Sequence, residues 1–180
     1  MTTAAGRVCA KIYGEEPGIP DETFVPIFHK WIRQRAPGGL LLDVADYTHV
    51  PDGPGVVLVG HDTTFSLDRS DGRFGLLAQR RRPFDGDFAD GVAATIRTLL
   101  EVADALERDA ALAGKLRFDR ERIRIEANDR LRLPNTDDGF TAFRPVIEAA
   151  VSHAFPGASG IVERLVNDRR ERLAVDVVLV

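Results

Sequence analysis

The sequence predicts an α+β fold, in which a mixed, largely antiparallel sheet packs against three helices. Several short apolar runs follow one another along the chain between turn residues, as is typical of consecutive strands. Three longer segments carry apolar residues every three or four positions, which is typical of amphipathic helices. Because strands and helices do not alternate strictly, we do not expect a fully parallel sheet.

The first fifth of the chain predicts a strand and a helix. The apolar run at Arg7–Tyr13 indicates the strand, and the prolines and glycine of Glu15–Pro20 indicate a turn. Asp21 is expected to cap the helix, which ends at Pro37-Gly38-Gly39. The apolar stripe of this helix, which we expect in the core, consists of Phe24, Ile27, Phe28, Trp31 and Ile32.

The next segment predicts four strands. Leu40–Val44 and Val56–Val59 are short apolar runs, separated by a loop rich in proline, glycine and aspartate. Thr63–Asp68 and Phe74–Arg80 read as a hairpin that turns at Asp71-Gly72.

The second half predicts two helices and more strands. A long helix is expected from about Asp87 to Ala113, and a shorter one after a cap at Asn135 or Thr136. The strands expected around the second of these helices are Leu116–Arg120, Arg122–Asn128, Gly160–Val166 and Arg172–Val180.

An internal duplication is one interpretation of this order. When the first helix is aligned with the last, Phe24 meets Phe143 and Pro37-Gly38 meets Pro156-Gly157. The duplicated unit would be a strand-helix-strand-strand module, at residues 7–60 and again at 122–180. The alternative is a chance alignment, because amphipathic helices that end in Pro-Gly are common. In either case the 180 residues form a single domain, 1–180.

Composition restricts the function classes. A formal net charge of −4 argues against a general affinity for nucleic acid, whose phosphates require clustered Lys and Arg. Cys9 is the sole cysteine, so no internal disulfide forms, and its apolar surroundings indicate a buried thiol. No run approaches the ~20 apolar residues of a membrane span, and residues 1–6 lack the features of a secretory signal. We therefore expect a cytoplasmic protein that does not bind a membrane and needs no cofactor.

The candidate site lies at the ends of the second and third strands, and it comprises Asp46, His49, His61 and Asp62. Carboxylates and imidazoles together can bind a ligand, act as acid and base, or hold a divalent metal. The chain reverses between the two histidines, which would bring them towards each other. Asp43 and Asp52 lie nearby in sequence, but the spacing matches no known metal signature, so no metal is assigned. The alternative is that these residues are polar strand ends and turn formers.

Two other polar groups admit a structural and a functional interpretation. Asn128-Asp129-Arg130 would close a turn, or line a pocket at a strand end. Arg80-Arg81-Arg82 would form a solvated strand end, or clamp a phosphate or an acidic partner. For both groups the composition of the neighbouring residues favours the structural interpretation.

The segment Asp46–His61, with Asn128-Asp129-Arg130 and Pro134-Asn135-Thr136, resembles a family of small bacterial proteins of unknown function. The resemblance covers nearly the whole chain and implies a bacterial, cytoplasmic protein. It implies no established activity, so no functional residue is taken from it.

Two classes of function remain. The first is a non-enzymatic binding or assembly module with an unknown protein or small-molecule partner. One form of this hypothesis is a homodimer. The sequence favours this first class because no nucleophile-base pair, metal motif or nucleotide loop is visible. The alternative is a small enzyme or metal-dependent binder that uses the cluster of Asp46, His49 and His61.

Overall fold

The structure is a computed structural model that describes residues 6–35, 37–51 and 53–180. It contains eight strands and three α-helices. The strands are β1 (Val8–Gly14), β2 (Leu41–Asp46), β3 (Val56–Gly60), β4 (Thr63–Asp68), β5 (Gly75–Arg80), β6 (Phe118–Ala127), β7 (Gly160–Arg164) and β8 (Ala174–Leu179). The helices are α1 (Phe24–Gln34), α2 (Phe88–Arg108) and α3 (Asp137–Ala154).

All eight strands form one sheet, in the order β2-β3-β4-β5-β1-β6-β8-β7. Every neighbouring pair is antiparallel, so the predicted α+β class is confirmed, and no parallel pair occurs among the described strands. The two strands that open the halves of the chain, β1 and β6, lie side by side at the centre.

The three helices cover one face of the sheet. In β1, the side chains of Val8, Ala10 and Ile12 join the hydrophobic core beneath the helices, because alternate residues of a strand point to opposite faces. Cys9, Lys11 and Tyr13 therefore point to the other face, which no described helix covers. We call it the helix-free face.

The apolar stripes predicted from sequence are in the core. Phe24, Phe28 and Trp31 of α1 are buried, and so is Phe143 of α3. The helix starts are defined by side chains: Asp87 accepts a hydrogen bond from the backbone N–H of Ala89, and Thr136 caps α3. Asp21, by contrast, does not cap α1, which begins after a single 3₁₀ turn at Asp21–Thr23.

Several boundaries differ from the sequence-based prediction, most of all those of α2 and β6. The long helix ends at Arg108, and a 3₁₀ turn at Ala110–Leu112 follows it. The two strands expected at 116–128 form the single strand β6, and Arg120, beside the expected break, is held by Asp104 and Glu107 of α2.

The strand-helix-strand-strand order recurs in the two halves, as β1-α1-β2-β3 and β6-α3-β7-β8. The pairing differs, however. In the second half the last strand, β8, pairs with the opening strand β6, whereas in the first half it is β5 that pairs with β1. The hairpin β4–β5 therefore extends the first half by two strands.

Candidate functional site

The four residues predicted as a site lie at the two ends of the β2–β3 hairpin. Asp46 pairs with Val56 at one end, and Leu41 pairs with Gly60 at the other. His49 follows the first end and His61 follows the second. Because the ends are five residues apart along β2, about 16 Å of strand separates them. The expectation that the two histidines converge is therefore wrong, although ligand binding by either residue stays a prediction.

The end with Asp46 and His49 is an exposed turn. The Oδ1 atom of Asp46 accepts hydrogen bonds from the backbone N–H and the hydroxyl of Thr48, at 2.9 and 2.6 Å. The hydroxyl bond is the main reason why the pKa of Asp46 lies below its ordinary value. This arrangement is a typical aspartate turn, which accounts for Asp46 by its structural role.

The other end holds His61 between Asp62 and Arg82. His61 Nε2 lies 2.9 Å from Arg82 Nη1, and its Nδ1 lies 3.2 Å from Asp62 Oδ1. A guanidinium can only donate, so Nε2 accepts, and the ring proton is assigned to Nδ1, which donates to Asp62. Both ring nitrogens are thus engaged, and a metal would have to displace one of these partners.

Metal coordination finds no geometric support in the described chain. Within residues 6–35, 37–51 and 53–180, no three His, Cys, Asp or Glu side chains lie close enough together to hold an ion. Asp52, which the sequence places near the predicted site, lies outside the described residues.

The loop between β2 and β3 does line a cavity, of about 530 Å³. Neither Asp46 nor His49 is among its lining residues. Its walls are mainly polar, and Arg69 is occupied by ion pairs with Glu16 and Asp21. The lining residues are Asp21, Glu22, Tyr47, Thr48, Val50, Gly53, Gly55, Arg69 and Ser70.

A cluster of charged side chains, some buried and some partly exposed, crosses the middle of the helix-free face, and we call it the ionic centre. Its members are Lys11, Asp68, Asp71, Arg122, Arg124 and Asp176. Lys11 is only 4% exposed, and its ammonium donates to Asp68, Asp71 and the carbonyl of Arg73, at 2.7, 2.6 and 2.8 Å. Since an ammonium has three protons, all of its donors are used.

The carboxylates of Asp176 and Asp71 stay ionised near neutral pH. Burial alone would raise the pKa of Asp176, but the hydrogen bonds and charges of Arg124 and Arg122 outweigh it, so the net pKa lies below the ordinary value. The pKa of Asp71 is lowered in the same way by Lys11, against its own burial. The ionic centre thus holds the turn between β4 and β5 against the sheet. No N–H group of the Lys11 ammonium is left for a ligand.

Two further groups on the helix-free face, the Cys9 thiol and the Tyr13 hydroxyl, keep their protons near neutral pH. Burial raises the pKa of the Cys9 thiol to about 12, and the nearby Arg172 offsets only part of this effect. The thiol therefore stays protonated and is not a nucleophile near neutral pH. Burial likewise raises the pKa of Tyr13, whose hydroxyl donates to Asp71 at 3.0 Å.

The largest described cavity lies in the helical layer, and we call it the α2–α3 groove. Its volume is about 950 Å³, and it runs along one side of α3 beside the start of α2. The apolar walls are half-buried or exposed except at the buried Ala89, and they come from Phe88, Ala89, Leu133, Ala142, Pro145, Val146 and Ala149. Gly6, Gly86, Asp87, Asp90, Asp129, Arg132 and His153 complete the lining.

Few polar groups face the α2–α3 groove. His153 Nδ1 lies 2.8 Å from Asp90 Oδ1, and Arg132 lies 3.6 Å from Asp129. Both pairs sit among apolar walls, which is the usual composition of a ligand pocket. Sequence patterns did not predict this groove, because its walls come from four separated segments. Among its lining residues, Asp129 belongs to the polar group Asn128-Asp129-Arg130.

Two comparisons of the chain with known proteins give no match. No protein-family model matches it, and a search of curated proteins finds no significant match. The resemblance to small bacterial proteins of unknown function therefore stays a prediction. None of the described helices is long and apolar enough to cross a membrane.

Proposed function

We propose that the protein is a non-enzymatic binding module that takes an apolar ligand, or the apolar side of a partner, in the α2–α3 groove. The observation that carries this proposal is the groove itself, about 950 Å³ of space against apolar side chains that no described element covers. Cavities of roughly 300–1,000 Å³ with apolar walls and few polar groups are typical of ligand sites.

The geometry of α3 supports a groove rather than a fortuitous gap. The residues at 142, 145, 146, 149 and 153 recur at three and four, so they form one stripe on one side of the helix. A different side of α3, with Phe143, Ile147 and Val151, packs into the core. The helix thus has two apolar sides, and covering the second one would remove apolar surface from water.

The chemistry of the walls favours binding over catalysis. The lining residues of the groove include no serine, threonine, cysteine or lysine among the described residues. The Asp90–His153 pair therefore has no nucleophile beside it within the groove, although it can orient a polar group of a ligand.

Filling the groove tests the proposal. The fluorescent probe 8-anilinonaphthalene-1-sulfonate is titrated into the wild type and into Ala142→Trp, whose new indole would occupy the groove from an exposed position. The matched control is Arg144→Trp, two residues away on the solvent side of the same helix. We expect at least tenfold weaker probe binding for Ala142→Trp, unchanged binding for Arg144→Trp, and similar melting temperatures. Probe binding that survives Ala142→Trp would refute the groove as the site.

Two earlier hypotheses stand beside this one. The alternative of a small enzyme or metal-dependent binder now rests on His49 or His61 acting separately, because the hairpin holds them apart. Homodimer formation also stays a prediction, for which the exposed apolar residues Ile161, Val178 and Val180 near the β7 edge of the sheet offer a surface.

A further inference from the structure

The strands β5, β1, β6 and β8 are neighbours in the sheet. Their arginine-rich ends lie together along one edge of the sheet, the edge that is formed by strand ends. Backbone pairing continues there: the N–H of Arg81 donates to Asp62, and the N–H of Asn128 donates to Arg7, both at 2.8 Å. We call the arginines of this edge the arginine rim, and they are Arg7, Arg80, Arg81, Arg82, Arg130, Arg170 and Arg172.

Neutral acceptors hold several of these side chains. Arg81 Nη1 donates to the carbonyl of Gly60 at 3.0 Å, and Arg80 Nε donates to the carbonyl of Arg82 at 3.0 Å. Arg82 Nη1 donates to His61 Nε2 at 2.9 Å. These hydrogen bonds fix the direction of each guanidinium, but they leave its positive charge uncompensated.

Carboxylates compensate little of the rim charge. Arg170 pairs with Asp168 at 2.9 Å, and Arg172 approaches Glu126 at 3.4 Å. Within the described residues these are the two ion pairs of the rim, and Arg130 donates to the carbonyl of Arg170 instead.

Some arginines elsewhere on the protein are instead neutralised by carboxylates. Arg69 binds two carboxylates, and so does Arg120. Because the chain as a whole carries a net charge of −4, its acidic residues are numerous enough to neutralise the rim. The positive charge of the rim is therefore a local feature that composition does not explain.

We propose that the arginine rim binds an acidic segment of a partner polypeptide, in a site separate from the α2–α3 groove. A guanidinium presents a fork of donors that matches a carboxylate, and the two form paired, charge-assisted hydrogen bonds. Because neutral acceptors already orient Arg80, Arg81 and Arg82, less side-chain freedom is lost on binding.

The size of the rim sets the length of the segment. Four strands spaced about 4.8 Å apart give a width of about 14 Å. An extended peptide advances about 3.3 Å per residue, so roughly four or five residues cross the rim. Two or three Asp or Glu side chains in such a segment would each meet one or two guanidiniums.

Nucleic acid fits the rim less well. A long polyanion would extend beyond the rim over the net negative charge of the rest of the chain, whereas a segment of four or five residues stays on the rim. Single-stranded nucleic acid also requires open aromatic faces on which its bases stack. The aromatic ring beside the rim is Phe84, and the Arg80 guanidinium lies over it, 4.4 Å from the ring centre.

The test uses fluorescein-labelled hexaglutamate and fluorescence anisotropy at low ionic strength. The rim variant is Arg7→Glu/Arg81→Glu, whose positions lie just beyond the paired residues of β1 and β5, where a continued register would place them opposite each other. The control is Arg33→Glu/Arg117→Glu, which makes the same change in net charge at exposed positions on α1 and before β6. We expect at least tenfold weaker binding for the rim variant, less than twofold change for the control, and weaker binding as salt is added.

Three results would overturn the proposal. The first is the absence of hexaglutamate binding to the wild type at low salt. The second is an equal loss in the control, since net charge alone would then explain binding. The third is tighter binding of labelled oligo-dT than of hexaglutamate with the same dependence on Arg7 and Arg81, which would assign the rim to nucleic acid. Probe binding in the groove is unaffected by either double variant, so the two proposals fail separately.

Discussion

The ionic centre and the arginine rim both concentrate charged side chains on one sheet, but they differ in what those charges face. In the ionic centre, Lys11 lies against two carboxylates, and Arg124 contacts Asp71 and Asp176. In the arginine rim, the guanidiniums of Arg80, Arg81 and Arg82 lie against carbonyl oxygens and an imidazole.

This difference separates structural charge from available charge. A buried charge is tolerated where partners of opposite sign replace its water. When one partner is removed, the remaining buried charge is unpaired, and its desolvation destabilises the fold. An exposed charge keeps its water and contributes little to stability. We therefore expect the ionic centre to maintain the fold and the arginine rim to serve binding.

The largest expected effect comes from Lys11. Lys11→Met keeps the aliphatic stem but leaves Asp68 and Asp71 without their ammonium, so we expect a loss of about 3–5 kcal/mol in the free energy of unfolding. Urea denaturation at pH 7 measures it. A loss below ~1 kcal/mol would mean that the ionic centre is not structural.

Asp176→Asn tests whether the stability that the ionic centre contributes depends on pH. Removing this carboxylate weakens the charge-assisted hydrogen bonds of Arg122 and Arg124, for which we expect a cost of about 2 kcal/mol at pH 7. Because the folded-state pKa of Asp176 is lowered, its contribution is complete above the ordinary value of about 3.9 and disappears as the pH falls through the folded pKa.

The stability curves of wild type and Asp176→Asn should therefore converge in acid. Urea midpoints between pH 7 and pH 2 give the comparison. A constant difference over this range would show that Asp176 contributes by packing and not by charge.

The predicted histidine site gives a smaller effect. His49 and His61 lie at opposite ends of the β2–β3 hairpin, so the stability changes of His49→Ala and His61→Ala should add to within about 0.5 kcal/mol. A double-mutant cycle measures the coupling. A larger coupling would mean that the two residues do act together.

The sequence predicted the fold class because the relevant patterns are local. The periodic stripe of α1, the hairpin at Asp71-Gly72 and the cap Thr136 all depend on neighbours within a few residues. Lys11 carried a signal of its own, since a charge inside the apolar run of β1 requires buried partners.

The candidate sites could not be predicted from the sequence in the same way, because strand order and helix packing create them. Arg81 and Arg7 come near each other only through the pairing of β5 with β1, and Phe88 and Val146 line one groove only through the packing of α2 on α3. His49 and His61 show the opposite relation between sequence and structure. They are near each other in sequence, but the hairpin register separates them.

The most direct test of the difference between the two regions is the stability of Arg7→Gln/Arg81→Gln at low and high salt. Like charges that face each other across strands repel, and salt screens this repulsion. We predict that the double variant is as stable as wild type to within about 0.5 kcal/mol, with any gain confined to low salt. A loss above ~1 kcal/mol at both salt concentrations would contradict the account, because it would show that the rim arginines, like Lys11, are needed by the fold.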